Sequence, residues 1–288
     1  MRPIITVIPA LPLMPDMSSE HHSLPDFAKP PVVETVLDVG FVPLAGWGIP
    51  HFGLFWQSIR DEYPTFKDQP PVLLQRERFG TKLNQPLNQA IEILNIQPEA
   101  RCWFEEKGGA RLIQVQHDRF IHNWRKTEEQ QEYPRYENVI RPAFGKEWDR
   151  FCSFLDQQGI GSPEIQQCEV QYVNHIDFEG WKSFTDLIDA FETWPGGHGF
   201  LPIPEGTSFN TSYLIPDHAG RLRIVAQPAV RHLDGKTVIQ LTLIARGQPK
   251  SSHRDAILEW FDLGRQWIVR GFAEFTSTKM HQIWQRIR

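Results

Sequence analysis

The chain has 288 residues and a mass of 33.5 kDa, a length that suits one large body or two fused halves. Its 40% of hydrophobic residues and 12% of aromatic residues exclude a chain that is disordered throughout. A net charge of -5 and a pI of about 6.1 exclude a global basic field that would collect nucleic acid without sequence preference.

The first 28 residues are rich in proline and predict an irregular leader without catalytic residues. Residues 30–41 then alternate apolar and polar side chains, which predicts a half-buried strand. Aromatic residues at helical spacing predict an amphipathic helix over residues 51–63. The proline-interrupted stretch 64–100 predicts only one short helix, near residues 87–94.

Three strand patterns and a long aromatic helix complete this first half. The strands are CWFEE (102–106), RLIQVQH (111–117) and RFIHNWRK (119–126), and the helix runs to Gly159.

The rest of the chain repeats this order of elements. A strand at residues 169–178 and a helix at 181–194 precede three strands, the last two joined by a turn at Asp234 and Gly235, and a helix over 251–275. We therefore predict an α+β fold of two similar β-α-β-β-β-α halves, residues 29–161 and 162–288, forming one compact body. Each antiparallel sheet would be backed on one face by aromatic-rich helices. A pseudo-twofold axis would relate the halves, either in one continuous saddle-like sheet or in two sheets that meet edge to edge.

Strand alternation places a set of Arg, Gln and Asn side chains opposite the aromatic core in both halves. These residue types form geometry-specific hydrogen bonds to carboxylates, phosphates and backbone amides, so we predict that they bind a ligand on open sheet faces. An alternative is a solvated face on which Glu34 and Asp38 pair across strands with Arg119 and Arg125. The candidate binding residues are Gln114, Gln116, Arg119, Asn123, Arg125, Arg221, Arg223, Gln240 and Arg246.

Other kinds of site find little support in the sequence. No third ligand joins His117 and His122 at a metal-binding spacing, and neither a nucleophile elbow nor a phosphate-binding loop is present. We therefore expect neither a metal nor a cofactor. If the protein is an enzyme, Glu34 and His175 are the candidate acid and base.

Cysteine usage and apolar runs bear on location. Cys102, Cys152 and Cys168 form an odd set without metal-binding spacing, which favours a reducing compartment. No apolar run has the length of a membrane-spanning helix, and the N-terminus lacks the cleavage pattern of a signal peptide. We expect a cytoplasmic protein without a membrane partner.

Four blocks follow one another along the chain: PPVVE (30–34), LIQVQHDRFIHNWRK (112–126), YPRYE (133–137) and YVNHI (172–176). Together they resemble the signature blocks of a sporadically distributed bacterial protein family with no assigned activity, over residues 24–275. The resemblance implies an accessory protein of bacteria and supplies no catalytic residue. A sporadic distribution is compatible with mobile or defence-associated gene clusters. The resemblance places six residues in the family's most characteristic block: Gln114, Gln116, Arg119, Asn123, Trp124 and Arg125.

Three hypotheses of function follow. The first is a non-catalytic recognition module whose open faces bind a protein segment or an anionic ligand; the acidic net charge favours a protein over nucleic acid or a nucleotide. The second is a metal-independent enzyme acting on a nucleotide or phosphoester in the groove between the halves. In the third, the open faces serve only to pair two chains into a homodimer.

Overall fold

A computed structural model describes residues 23–73, 75–77, 91–93, 100–177, 190–191 and 208–288, with only the backbone described for 91–93. The strands are β1 (Val32–Phe41), β2 (Thr65–Gln69), β3 (Gln75–Glu77), β4 (Ile91–Ile93), β5 (Arg101–Glu105), β6 (Arg111–Gln116), β7 (Arg119–Arg125), β8 (Ile165–Ile176), β9 (Phe209–Ile215), β10 (Gly220–Val230) and β11 (Thr237–Gly247). The helices are α1 (Ile49–Ile59), α2 (Arg141–Gln157), α3 (Arg254–Phe275) and α4 (Thr278–Ile283).

Nine of these strands form one antiparallel sheet in the order β2-β5-β6-β7-β1-β8-β11-β10-β9, so the protein is α+β. β1 and β8 pair along almost their whole length, with Leu37 opposite Val170 and Val39 opposite Cys168. Moving outward from this pair, β1 is followed by β7, β6 and β5, and β8 by β11, β10 and β9. An internal duplication would produce this symmetrical order, and the duplication itself stays a prediction.

The helices cover one face of the sheet with an aromatic core. Phe151 of α2 lies 6.1 Å from the ring of Phe41, 5.0 Å from Phe120 and 5.5 Å from Phe55 of α1. Phe144 of α2 meets Phe261 of α3 edge to face at 4.9 Å, which joins the helices of the two halves. Period-2 strands and period-3.6 helices thus bury their apolar sides against each other.

Local sequence signals set the bounds of α2. A π-helical turn, Tyr136–Ile140, leads into the helix, and Pro142 lies in its first turn, where no backbone N–H is needed. Gly159 then adopts a φ of 68°, and the Ile160 N–H donates to the Leu155 carbonyl at 2.9 Å. This left-handed glycine ends the helix as the sequence predicts.

The structure confirms most predicted elements and corrects several. Strand β2 lies in the stretch 64–100, where only a short helix was predicted, so the first half does not follow the predicted β-α-β-β-β-α order. Residues 91–93 form strand β4, paired with β3, so the short helix predicted near 87–94 is wrong at these positions. The last part of the predicted leader belongs to the core, since Phe27 is buried and packs on Phe272 and Trp284. The helix predicted at 181–194 lies outside the described residues except at 190–191, where the prediction is wrong because Phe191 forms an antiparallel β-bridge with Thr276. Of the helices described, none combines the length and apolarity needed to cross a bilayer.

We expect Phe151→Ala to lower the free energy of unfolding by about 3–5 kcal/mol, because it removes a fully buried ring from the centre of the aromatic core. Urea denaturation measures this loss. Leu54→Ala is the matched control, since Leu54 on α1 is 44% exposed and its truncation should cost little. Equal losses for the two variants would contradict the packing described.

Candidate recognition face

The candidate binding residues lie on the face of the sheet opposite the helices, which we call the polar face. Strand alternation placed them correctly: Ile113, Phe120 and Leu241 join the aromatic core, whereas their strand neighbours point the other way. The expectation that this face is open is wrong over much of its area. Gln116 is 1% exposed, Asn123 3% and Arg246 6%.

The cover is a part of the chain between β2 and β5, namely residues 70–73 and 75–77, which we call the crossing segment. Its contacts run across the polar face from one half to the other. Arg101 of β5 donates to the Pro70 carbonyl at 2.8 Å, and Arg246 of β11 donates to the side chain of Gln75 at 3.1 Å. The segment therefore lies across the strands, and β4 pairs with its β3 portion.

Two glutamine side chains hold the backbone of the crossing segment. The Val72 N–H donates to Oε1 of Gln116 at 3.0 Å, and Nε2 of Gln116 donates back to the Val72 carbonyl at 3.0 Å. On β8, Gln167 accepts from the Glu77 N–H at 3.0 Å and donates to the Gln75 carbonyl at 2.7 Å. Each amide therefore satisfies one N–H and one C=O of an extended chain, as a neighbouring strand would.

Three arginines of the second half surround the carboxylate of Glu77, whose side chain is 1% exposed. Arg223 donates from Nε and Nη2 to its two oxygens at 2.9 and 3.0 Å, a bidentate pair. Arg221 donates to one of these oxygens as well, and Arg246 lies 3.6 Å from the other. We call these three residues the arginine cage.

A second ion pair lies at the centre of the sheet, where β7 and β1 meet. Arg119 is 3.2 Å from Asp38, so the cross-strand pairing that the sequence suggested for these two residues is confirmed. Burial raises the pKa of Asp38 to about 7, despite the opposing effect of Arg119. Nearby, Gln116 donates to Asp118 at 2.8 Å.

Two more of the predicted residues, Gln114 and Asn123, lie on the first-half strands of the polar face. Gln114 accepts from Arg101 and Trp103, at 2.6 and 2.8 Å, and donates to Asn123 at 2.8 Å. Asn123 in turn donates to Glu34 at 2.8 Å. These contacts form a chain of hydrogen bonds across four adjacent strands, from β5 to β1, that fixes the side-chain amides of the first half.

Arg125 and Gln240 lie away from the crossing segment's contacts. Arg125 pairs with Glu105 at 2.6 Å and is 29% exposed, so the predicted pairing with Glu34 is replaced by a pairing on the outer strands. Gln240 lies opposite His175 where β11 pairs with β8 and donates to Thr242 at 3.4 Å.

The acid and base suggested for an enzyme do not share a contact. Burial raises the pKa of Glu34 even though Asn123 hydrogen-bonds to it. Burial lowers the pKa of His175, with Arg231 acting in the same direction. Among the residues that the structure describes, no three His, Cys, Asp or Glu side chains lie where they could share a metal ion.

Sequence reasoning missed several members of the site. Gln167 and Glu169 lie on β8, where the same alternation rule would have placed them on the polar face. Glu169 accepts from Arg246 at 2.5 Å. No comparable signal marks Gln75 and Glu77, since their stretch is interrupted by prolines and has no clear period.

The arginine cage receives part of its countercharge from the crossing segment. Arg221, Arg223 and Arg246 all lie against the carboxylate of Glu77, and Arg246 also pairs with Glu169 of β8. Removing the segment would take the Glu77 carboxylate away from three guanidinium groups, so the arginine cage is a candidate anion site.

We expect Asp38→Asn to gain stability relative to the wild type as the pH rises from about 4 to about 7. The folded wild type binds more protons at Asp38 than the unfolded chain in this window, so its stability falls with pH, and the amide lacks this titration. The slope of the difference is at most about 1.4 kcal/mol per pH unit.

Urea unfolding of both proteins at about pH 5, 6, 7 and 8 measures that slope. The loss of the Arg119 ion pair adds an offset to all values but does not produce the rise. Asp61→Asn, at an exposed position, is the control and should give a flat difference. A flat difference for Asp38→Asn would contradict the raised pKa.

Comparisons with known proteins leave the site to be interpreted from its own geometry. No family model, no curated protein and no solved structure matches the chain. The case for a function therefore depends on how the polar face holds the crossing segment.

Proposed function

We propose that the protein is a non-catalytic recognition module whose polar face binds an extended protein segment that carries an acidic side chain. The observation that supports this proposal most directly is the way the face holds its own crossing segment. Gln116 and Gln167 bind main-chain groups, and the arginine cage binds one carboxylate. A segment from another protein would be bound by the same contacts when the crossing segment leaves.

The types of residue on the face favour this reading over a purely structural one. A core needs only apolar contacts, whereas burying four arginine side chains requires several matched carboxylates and is a weak source of stability. Bidentate arginine pairs and paired amide bonds instead select the geometry of what they bind.

The residues of the polar face favour a protein over a nucleic acid as the molecule that carries the anionic group. A net charge of -5 gives no long-range attraction for a phosphate backbone. Both amide contacts are to main-chain N–H and C=O pairs, which only a polypeptide repeats at regular spacing. Homodimerisation and an enzyme working through Glu34 and His175 stay as alternatives with their own tests.

The test uses two labelled peptides, PPVLLQRE, which has the sequence of residues 70–77, and PPVLLQRQ, in which the acid is an amide. We expect the acidic peptide to bind the Glu77→Gln protein, whose own segment no longer supplies a carboxylate to the cage. The amide peptide should bind at least about tenfold more weakly, because it lacks the charge-assisted bonds to Arg223. Fluorescence anisotropy gives both dissociation constants.

The wild type and two double variants provide controls for this result. The wild type should bind the acidic peptide more weakly than Glu77→Gln does, since the tethered Glu77 competes at high effective concentration. Adding Arg223→Gln to Glu77→Gln should remove the preference for the acidic peptide. Adding Arg231→Gln instead should leave it intact, because Arg231 pairs with Asp234 and Asp177.

The proposal fails if Glu77→Gln binds both peptides equally or binds neither. The alternatives have distinct readouts in the same preparations. Homodimerisation predicts that Arg119→Ala changes the molecular mass in solution without any effect on peptide binding. An enzyme predicts turnover of a nucleotide or phosphoester that Glu34→Gln and His175→Gln abolish while binding persists.

A further inference from the structure

A cavity of about 500 Å³ lies on the helical side of the sheet, on the opposite face from the crossing segment. It opens between the N-terminal stretch that begins at Leu24, the π-helical turn before α2, strand β8 and helix α3. One wall is apolar and consists of Phe27, Val32, Ile268 and Phe272. The volume falls within the range of about 300–1,000 Å³ that is typical of small-molecule sites.

The other wall is polar, which is unusual on a face that otherwise forms an aromatic core. The hydroxyls of Tyr133 and Tyr172 lie 2.8 Å apart, and the positive charge of Arg265 on α3 opposes the rise in the pKa of Tyr172. Burial raises the pKa of both tyrosines, so each keeps its proton at neutral pH. Asn174, another polar residue that the strand turns toward this side, donates to the Leu241 carbonyl at 3.1 Å and also lines the cavity.

Arg265 has unused binding capacity at this wall. Its Nη1 lies 2.6 Å from Glu137, and its guanidinium lies over the ring of Tyr136 at 4.9 Å. Its buried Nε–H has no hydrogen-bond partner among the described residues. The Arg265 side chain is 15% exposed, whereas that of Glu137 is 58% exposed, so Glu137 can swing into solvent while the arginine stays.

The backbone at the mouth of the cavity is under strain. Arg135 has a φ of 67°, a left-handed conformation that costs a non-glycine residue energy, and it directly precedes the π-helical turn. Its guanidinium holds this conformation by donating to the side chain of Asp26 at 2.8 Å and to the Phe27 carbonyl at 3.0 Å. Strained residues and π-helical turns both cluster at binding sites.

We propose that this cavity binds a small amphipathic acid, with its carboxylate on Arg265 and its apolar body against Phe27, Ile268 and Phe272. The contact with Glu137 shows that a carboxylate fits the guanidinium in this position. Three arginines line the cavity, but Arg135 pairs with Asp26 at 2.8 Å and Arg288 donates to the Leu24 carbonyl at 3.0 Å. Arg265, whose Nε–H is unpartnered in the part of the chain that the structure describes, is therefore the guanidinium left for a head group, and one guanidinium suits a carboxylate better than a phosphate with two charges. This site is independent of the recognition proposed for the polar face, because the two lie on opposite sides of the sheet.

The test is isothermal titration calorimetry of the full chain with octanoate and with 1-octanol, which share an apolar body and differ in charge. We expect octanoate to bind the wild type and Arg265→Gln to weaken it by about tenfold or more, with little change for octanol. Arg254→Gln is the matched control on the same helix, since Arg254 is exposed and lies outside the cavity.

Glu137→Gln provides a test that a folding defect cannot imitate. It removes the carboxylate that competes for Arg265, so octanoate should bind this variant more tightly than the wild type. The proposal is overturned if neither the wild type nor Glu137→Gln binds octanoate at about 1 mM. It is equally overturned if Arg265→Gln weakens octanoate and octanol by the same factor.

Discussion

The antiparallel pairing of β1 with β8 decides most of what this fold can present to its surroundings. These strands come from different halves of the chain, and their register sets Asp38 opposite Glu169 and Val39 opposite Cys168. Because side chains alternate along both strands, the pairing turns the apolar sides of both halves to the helices and the polar sides to the opposite face. A slip of one residue would separate the Arg and Gln residues of the two halves.

Joining the halves in one sheet also explains how a single stretch of chain can contact both. The crossing segment leaves the first half after β2, meets Gln116 on β6 and reaches Arg223 on β10. Two separate sheets would have offered two smaller faces, each lacking part of the set. The amide contacts come from β6 and β8 and the arginine cage from β10 and β11, so the set of residues that holds the crossing segment depends on the pairing of the two halves.

The face on which the polar residues lie could be predicted from the sequence, whereas the segment that covers them could not. The difference has a physical cause. Alternation over residues 111–125 and 220–247 is a local property, and it placed Gln116, Asn123 and Arg223 on the correct face. The cover over that face depends on bonds between residues far apart, such as Glu77 with Gln167 and with Arg223, separated by 90 and 146 residues. Local patterns do not report such contacts, so buried polar residues were predicted as open.

The glutamines and the arginine cage contact different parts of the segment that they hold. This difference determines which sequences the polar face would accept. Gln116 and Gln167 contact main-chain atoms, which are the same in every residue except proline, and one of the N–H groups they use belongs to Val72 and the other to Glu77. The arginine cage reads one carboxylate. A surface of this kind specifies a short pattern, one position without proline and one acid in register, and leaves the other side chains open. If the face binds another protein as proposed, partners of unrelated sequence would satisfy this pattern, and changes in them at the other positions would not abolish binding.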